Sequence, residues 1–178
     1  MNEEAVISDI LAGNVNRYEE IVREYQDIVA NLCFKIGGPK MDIAEVTQQV
    51  FVELYYALPR FKFKSKLSTF IYRITVNIVC KEIKHHSRWV SQDECYTADV
   101  PSGDGNVEQS IIDEEKSRKL HAAIGQLRKE QRTALVLYTF NDFSYNDIAD
   151  VMQCSVAKVE SLIFRARKNL KKLLTEKV

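Results

Sequence analysis

Residues that form tight turns are scarce in this chain, which has 6 glycines and 3 prolines among 178 residues. Average proteins use about 7% glycine and about 5% proline. Sandwiches and barrels need many short turns, so the scarcity favours long helices. The longest stretch without a charged residue, Thr133 to Asn141, has nine residues, whereas a membrane helix needs about 20. We therefore predict an all-α fold with no membrane-inserted segment.

The N-terminal residues MNEEAVISDI are acidic where a secretory signal would be basic and then apolar, so we expect a cytoplasmic protein. Cys33, Cys80, Cys95 and Cys154 stand far apart and form no metal-binding pair. Small buried thiols are the simplest interpretation of these residues. No catalytic Ser/His/Asp pattern or glycine-rich phosphate loop is present. We expect no metal, no cofactor and no enzymatic activity.

Charge is balanced overall, with 25 basic and 25 acidic residues, but it is segregated along the chain. Residues 60–88 contain eight Lys or Arg and one acid, and residues 165–172 contain five basic residues and no acid. Residues 91–115 contain eight acids and no Lys or Arg. Basic patches favour a polyanionic partner, although an ordinary solvated helix face is the alternative for either patch alone.

The stretch 91–110 has no apolar periodicity and holds one of the 3 prolines and two of the 6 glycines. Such a composition is typical of a flexible linker. We therefore predict two small helical domains, residues 1–90 and 113–178, joined by a flexible acidic linker at residues 91–112.

Three helices are predicted in the first domain from apolar periodicity, over Asn16–Ile36, Asp42–Leu58 and Thr69–His86. The second helix carries a polar face made by Glu45, Gln48 and Gln49. The segment FKFKSKL, from 61 to 67, alternates lysine with apolar residues. We interpret it as a basic loop, because Ser68 follows as the expected N-cap of the third helix.

One face of the third helix is polar although most of its circumference is apolar. The spacing of its polar residues, 4, 4, 3 and 4, aligns Arg73, Asn77, Lys81, Lys84 and Arg88. Cations at these positions suit a nucleic-acid backbone, and the amide is left to read a base edge. The alternative is the solvated ridge of a core helix.

The second domain has the pattern of a helix-turn-helix. Helices are predicted over 113–127 and 129–140, then over Ser144–Met152 and Val156–Leu174, with the short turn 153–155 between the last two. Ser155 is the expected N-cap of the last helix. Opposite the apolar stripe of that helix lies a polar stripe made of Lys158, Ser161, Arg165, Lys168 and Lys172. A recognition helix that enters the major groove has this distribution.

Three segments in this order, DIAEVTQQVFVELYYALPRFK, LSTFIYRITVNIVCKEIK and LRKEQRTALVLYTFNDFSYNDIADVMQCSVAKVESLIFRARKNLKKLL, resemble the extracytoplasmic-function sigma factors of bacteria. The resemblance implies that the first domain binds the β′ clamp helices of core RNA polymerase and melts and reads the −10 promoter element. It implies that the second domain reads the −35 element, that the acidic linker runs through the polymerase toward its active centre, and that the β subunit is also a partner. A stress-response role and an anti-sigma partner are further implications.

The resemblance also assigns roles by position. The residues expected to contact polymerase are Glu45, Gln48 and Gln49. The residues expected at the −10 element are Lys62, Phe63, Lys64, Lys66, Arg73, Asn77, Lys81, Lys84 and Arg88. The residues expected at the −35 element are Lys158, Glu160, Ser161, Phe164, Arg165 and Lys168.

The chain departs from the family pattern at three positions. Gln49 stands where glutamate is usual, and Glu160 stands where Lys or Arg is usual. Gln153 stands where the turn usually has glycine, so a residue with a Cβ must adopt that backbone.

Two other functional classes stay open at this point. A stand-alone helix-turn-helix repressor or activator would use residues 113–178 and would not need the basic helix of the first domain. A helical adaptor that binds only protein would leave both basic stripes unexplained.

Overall fold

The computed structural model describes residues 2–89, 119–140 and 143–175, and every regular element in these ranges is helical. The predicted linker, 91–112, and the start of the helix predicted at 113 lie outside the described residues. The prediction of an all-α fold with two helical units and a C-terminal helix-turn-helix is confirmed.

Two sets of helices make up the fold. The first set contains α1 (Glu3–Leu11), α2 (Tyr18–Gly37), α3 (Ile43–Ala57) and α4 (Leu67–Trp89), with 3-10 turns at Val15–Arg17 and Leu58–Arg60. The second set contains helical residues 119–125, which we name α5, followed by α6 (Lys129–Phe140), α7 (Tyr145–Met152) and α8 (Val156–Thr175).

Helix α1 is an addition to the predicted elements. The Asn2 side chain accepts a hydrogen bond from the Ala5 backbone N–H at 3.3 Å, which caps the helix. Its apolar residues Val6, Ile7 and Ile10 are buried, as their spacing of one and three residues places them on one face. This apolar spacing is visible in the sequence, but it involves only three residues, which is too few to predict a helix.

The start of α3 is as predicted and the start of α4 is not. The Asp42 carboxylate accepts a hydrogen bond from the Glu45 backbone N–H at 2.9 Å. Ser68 was expected to cap α4, but the helix begins one residue earlier, at Leu67. Leu67 and Ile71 are each 1% exposed, so burial of these side chains fixes the first turn and leaves Ser68 inside the helix. The preceding residues, 61–66, form the predicted non-strand loop.

Helix α4 lies at the centre of the molecule, where it packs against α2, α3 and α7. One continuous cluster of buried apolar side chains extends from α1 to α8 and includes Ile71 and Val79 of α4 and Ile148 of α7. A smaller cluster of Leu127, Leu135 and Ala166 joins α6 to α8. The two helical units therefore share most of one core.

The helix-turn-helix is defined by its caps. The Ser144 hydroxyl accepts from the Asp147 backbone N–H at 3.2 Å, and the Asp147 carboxylate accepts from the Ser144 backbone N–H at 3.0 Å. Gln153 ends α7 in the left-handed region, at φ 51° and ψ 50°, as its place at a usual glycine position predicted. The Ser155 hydroxyl then accepts from the Lys158 backbone N–H at 3.3 Å and starts α8, as predicted.

Replacing Gln153 with glycine is expected to raise the free energy of unfolding by about 0.5–1 kcal/mol. A left-handed backbone costs an ordinary L-residue about 1–2 kcal/mol, and part of the relief is offset by the greater unfolded-state freedom of glycine. Urea denaturation followed by circular dichroism measures the change. Ala157→Gly, at an exposed position in the first turn of α8, is the control and should lower the free energy of unfolding, by less than the about 1 kcal/mol expected in a helix interior. If both variants lose the same free energy of unfolding, the backbone at Gln153 is not strained.

Candidate nucleic-acid interface

The polar stripe of α4 lies at the surface. Asn77, Lys81 and Lys84 are exposed, and Arg73 is half-buried. The guanidinium carbon of Arg73 lies 5.3 Å from the centre of the Phe70 ring, so the cation is held against an aromatic face. Arg88 falls within α4, but its side chain is outside the described part of the chain.

A basic depression of about 340 Å³ lies beside this stripe. Four cationic side chains line it, namely Arg60 from the 3-10 turn, Lys62 and Lys64 from the loop, and Arg73 from α4. Its other lining residues are Phe61, Ser65, Thr69, Phe70 and Asp150. Lys66 is exposed on the same loop but is outside this lining. The charge and size of the depression suit a nucleotide.

Phe63 gives the basic loop an exposed aromatic ring. Its side chain is 47% exposed, and its backbone has a φ of 53°, which a bulky L-residue rarely adopts. The ring centre lies 4.8 Å from that of Phe61, which lies 4.9 Å from that of Phe70. Strained backbone of this kind costs about 1–3 kcal/mol and is found at functional sites. An exposed ring beside a basic depression can stack on a base.

The predicted polar face of α3 is also at the surface. Glu45 and Gln48 are exposed, Gln49 is half-buried, and all three line a depression of about 390 Å³ together with Glu82 of α4. This surface is negative and amide-rich, in contrast to the basic depression. It therefore suits a protein partner better than a nucleic acid.

An apolar groove lies next to the polar face of α3, and it was not predicted from the sequence. The groove has a volume of about 710 Å³ and lies between α3 and the start of α2. Val52 and Tyr56 line it and are 49% and 71% exposed, and Gln48 belongs to both depressions. Clustered exposed apolar residues mark interaction surfaces. Val52 and Tyr56 lie four and eight residues after Gln48, so they share its helix face, and this spacing could have predicted the groove from the sequence.

Helix α8 separates its two faces cleanly. Val159, Leu162, Ile163 and Ala166 are buried. On the opposite side the exposed residues are Lys158, Glu160, Phe164, Arg165 and Lys168, and Ser161 is half-buried. Phe164 is 70% exposed, and an apolar side chain there suits the methyl group of thymine in the major groove.

Glu160 does not pair with Arg167 on the helix surface. The guanidinium carbon of Arg167 lies 5.0 Å from the centre of the Tyr138 ring. No ion pair joins Glu160 to any residue that the structure describes. The carboxylate is therefore available to a partner.

The described cysteines behave as packed thiols. Burial raises the pKa of Cys33 to about 11. Burial also raises the pKa of Cys80, against the opposing effect of Lys129. Within the described residues no group of three or more His, Cys, Asp and Glu could hold a metal ion, and no helix is long and apolar enough to cross a membrane.

Known proteins share this arrangement of sequence and fold. Residues 21–88 match the family described as sigma-70 region 2, and residues 117–170 match sigma-70, region 4. The RNA polymerase sigma-H factor of Pseudomonas aeruginosa is 29% identical over 180 residues, covering 97% of this chain and 93% of the relative. The ECF RNA polymerase sigma-E factor of Haemophilus influenzae is 27% identical over 175 residues, covering 94% and 92%.

A solved structure has a similar fold over most of this chain. It contains the sigma factor RpoE in complex with the anti-sigma factor NepR from Bartonella quintana. The TM-score is 0.70 at 17% identity, with 89% of this chain and 96% of that chain covered.

The fold and its exposed basic surfaces define an all-α DNA-binding protein whose helix-turn-helix is one of two units. The chain belongs to the sigma-70 family of RNA polymerase sigma factors, among the extracytoplasmic-function members. The match to region 2 covers the unit that a stand-alone helix-turn-helix regulator would not need, so that alternative is not favoured.

Proposed function

We propose that this sigma factor divides promoter recognition between residues 1–90, which bind core polymerase and the −10 element, and residues 113–178, which bind the −35 element. Residues 91–112 serve as the acidic linker. The main support is the exposed amide of Asn77, which stands between Arg73 and Lys81 on α4 beside the basic depression. We assign the protein to the cytoplasm, where promoters and polymerase are, and give it no catalytic activity of its own.

At the −10 element, the cationic side chains contact phosphates and the Asn77 amide contacts a base. Lys62, Lys64 and Lys66 neutralise phosphates, while Phe63 stacks on an unpaired base. Asn77 reads a base edge, because its amide offers one donor group and one acceptor. Lys81, Lys84 and Arg88 extend the phosphate contact along α4.

At the −35 element, α8 enters the major groove. Lys158, Arg165 and Lys168 supply positive charge, and Ser161 and Phe164 face the bases. Glu160 accepts a hydrogen bond from a cytosine amino group, which a Lys or Arg at this position could not do. This substitution gives the chain its own −35 preference.

The polymerase contact uses the α3 face. Glu45, Gln48 and Gln49 meet the β′ clamp helices, and the adjacent apolar groove adds buried area through Val52 and Tyr56. An apolar centre with a polar rim is the usual composition of a specific protein interface. We also extend to this chain an anti-sigma partner, the class of protein bound to RpoE in the related structure.

Combining Glu45→Lys with Gln48→Ala and Gln49→Ala is expected to lower the affinity for core polymerase at least about tenfold. The change reverses a charge and removes two hydrogen-bonding groups from one interface, and a combined loss of about 1.4 kcal/mol corresponds to tenfold weaker binding. Binding is measured by titration of labelled sigma factor with core enzyme, and circular dichroism checks helical content. Glu24→Lys with Gln26→Ala, on exposed positions of α2, is the control. Unchanged core affinity in the triple variant would exclude this face.

Asn77→Ala is expected to change the −10 sequence preference, because a base contact discriminates by about 1–3 kcal/mol. Run-off transcription with core enzyme on a panel of −10 variants measures the preference. Lys81→Ala, on the same stripe, is the control and should weaken all promoters equally, since phosphate contacts carry no direct sequence information. If Asn77→Ala lowers transcription from every −10 variant by the same factor, Asn77 has a structural role and reads no base.

Glu160→Lys is expected to change the preferred base at one or two positions of the −35 element. Selection from a randomised −35 library with the reconstituted holoenzyme identifies these positions. Glu160→Gln keeps an acceptor while removing the charge, and should retain more of the original preference. Stronger binding with the original sequence preference in Glu160→Lys would show that Glu160 reads no base.

A further inference from the structure

The basic depression is bordered by both helical units. The first unit contributes its four cations, Arg60, Lys62, Lys64 and Arg73, and α7 of the second unit contributes Asp150. Both lysines and Asp150 are exposed, so solvent reaches the depression. Asp150 forms no ion pair with any of the four cations, all of which the structure describes. A ligand can therefore contact charges of both signs at one place.

The carboxylate of Asp150 distinguishes this depression from a simple phosphate site. A carboxylate repels phosphate and accepts hydrogen bonds, so it favours a ligand that presents N–H or O–H donors to it. The cations favour the opposite end of such a ligand, because Arg and Lys bind phosphate oxygens through charge-assisted hydrogen bonds. A molecule that satisfies both kinds of group carries phosphates at one end and a hydrogen-bond donor at the other.

The size and the apolar lining of the depression restrict the ligand further. Its volume is about 340 Å³, near the lower end of the range for small-molecule sites. Phe61 and Phe70 line it and are buried, so they form an apolar floor. Their ring centres lie 4.9 Å apart with an angle of 34° between the planes. A flat aromatic base suits a floor of this kind, so the ligand that the lining favours is a single nucleotide.

Two hydroxyl groups complete the lining. Ser65 is exposed on the loop, and Thr69 is buried in the first turn of α4. Hydroxyl side chains are common donors to phosphate oxygens. Arg73 is held against the Phe70 ring, with 5.3 Å between its guanidinium carbon and the ring centre, so it loses little conformational freedom when it binds an anion. The phosphate-binding groups are therefore partly preorganised.

We propose that this depression is a binding site for a free nucleoside triphosphate whose base carries an exocyclic amino group. Arg60, Lys62 and Lys64 bind the phosphates, and the base lies on the aromatic floor. The amino group donates a hydrogen bond to the Asp150 carboxylate. Adenine, cytosine and guanine have such an amino group, whereas uracil presents a carbonyl oxygen at the position of the cytosine amino group. This ligand goes beyond promoter recognition, and its binding does not depend on the −10 role of the loop.

Nucleotide binding at this place has a consequence for the −10 contact. The triphosphate and a promoter strand use the same two lysines, Lys62 and Lys64, so they compete for the free sigma factor. An excess of nucleoside triphosphate therefore weakens the binding of single-stranded DNA by the free protein. This consequence rests on the −10 role given above to the loop, whereas the nucleotide site itself rests on the lining of the depression.

The test is calorimetric titration of the full-length protein with CTP, UTP and inorganic triphosphate. We expect CTP to bind about tenfold more tightly than UTP, as one hydrogen bond to a charged acceptor predicts. Asp150→Ala should remove this preference, because no acceptor remains for the amino group. Asp27→Ala, on an exposed position of α2, is the control and should keep the preference. Equal affinities for the three compounds in the parent protein would show attraction of polyanions only and would overturn the proposal.

A second pair of variants locates the phosphates. Lys62→Ala with Lys64→Ala should weaken CTP binding at least about tenfold at low ionic strength, as the loss of two unit charges beside a triphosphate predicts. Lys168→Ala with Lys171→Ala, on exposed positions of α8, is the matched control and should leave CTP binding unchanged. An equal loss in both pairs would place the nucleotide outside the depression and would also overturn the proposal.

The lysine variants also separate this inference from the proposed function. If Lys62→Ala with Lys64→Ala weakens CTP binding but leaves run-off initiation by the holoenzyme unchanged, the −10 role of the loop is wrong and the nucleotide site stands. If that pair lowers initiation but leaves CTP binding unchanged, the nucleotide site is wrong and the −10 role stands.

Discussion

Helix α4 is packed by α2, α3 and α7, and this packing leaves it a narrow polar stripe at the surface. Most of its other described positions are apolar and buried or half-buried, as Ile71, Val76 and Val79 are, while Glu82 and His85 reach the surface outside the stripe. The functional side chains are therefore confined to the remaining stripe, where Asn77 and Lys81 stand one turn apart. The burial that stabilises the first unit also fixes the direction of its candidate base-reading group.

The other surfaces follow the same rule. On α3, burial of Val46, Val50 and Leu54 turns Gln48 and Val52 outward to form a mixed polar and apolar face. On α8, burial of Val159 and Ile163 directs the basic side chains away from the core. Each of these helices therefore presents one surface to a partner. The α4 and α8 surfaces are basic, as binding to promoter DNA requires, whereas the α3 surface is acidic, amide-rich and partly apolar, as a protein partner requires.

Most of the helices could be predicted because each long helix carries its own apolar period. The left-handed backbone at Gln153 could also be predicted, because the resemblance places this residue where the family usually has glycine. Helix α1 was missed because its period rests on only three residues, and Ser68 was misplaced because burial of Leu67 outweighs a cap. The strained backbone of Phe63 and the approach of Asp150 to the loop depend on contacts between distant segments, which local patterns do not encode.

The shared core of the two units has a thermodynamic consequence for every partner. A ligand that needs the units apart binds only the open fraction of the molecules, so its apparent affinity is reduced by that fraction. A ligand that binds both units in their packed arrangement suffers no such loss of apparent affinity, and it raises the fraction of molecules in that arrangement. The edge-to-face contact of the Tyr72 and Phe143 rings and the hydrogen bond from Arg132 to the Ile36 carbonyl raise the free energy needed to separate the units, and a partner that requires them apart has to supply it.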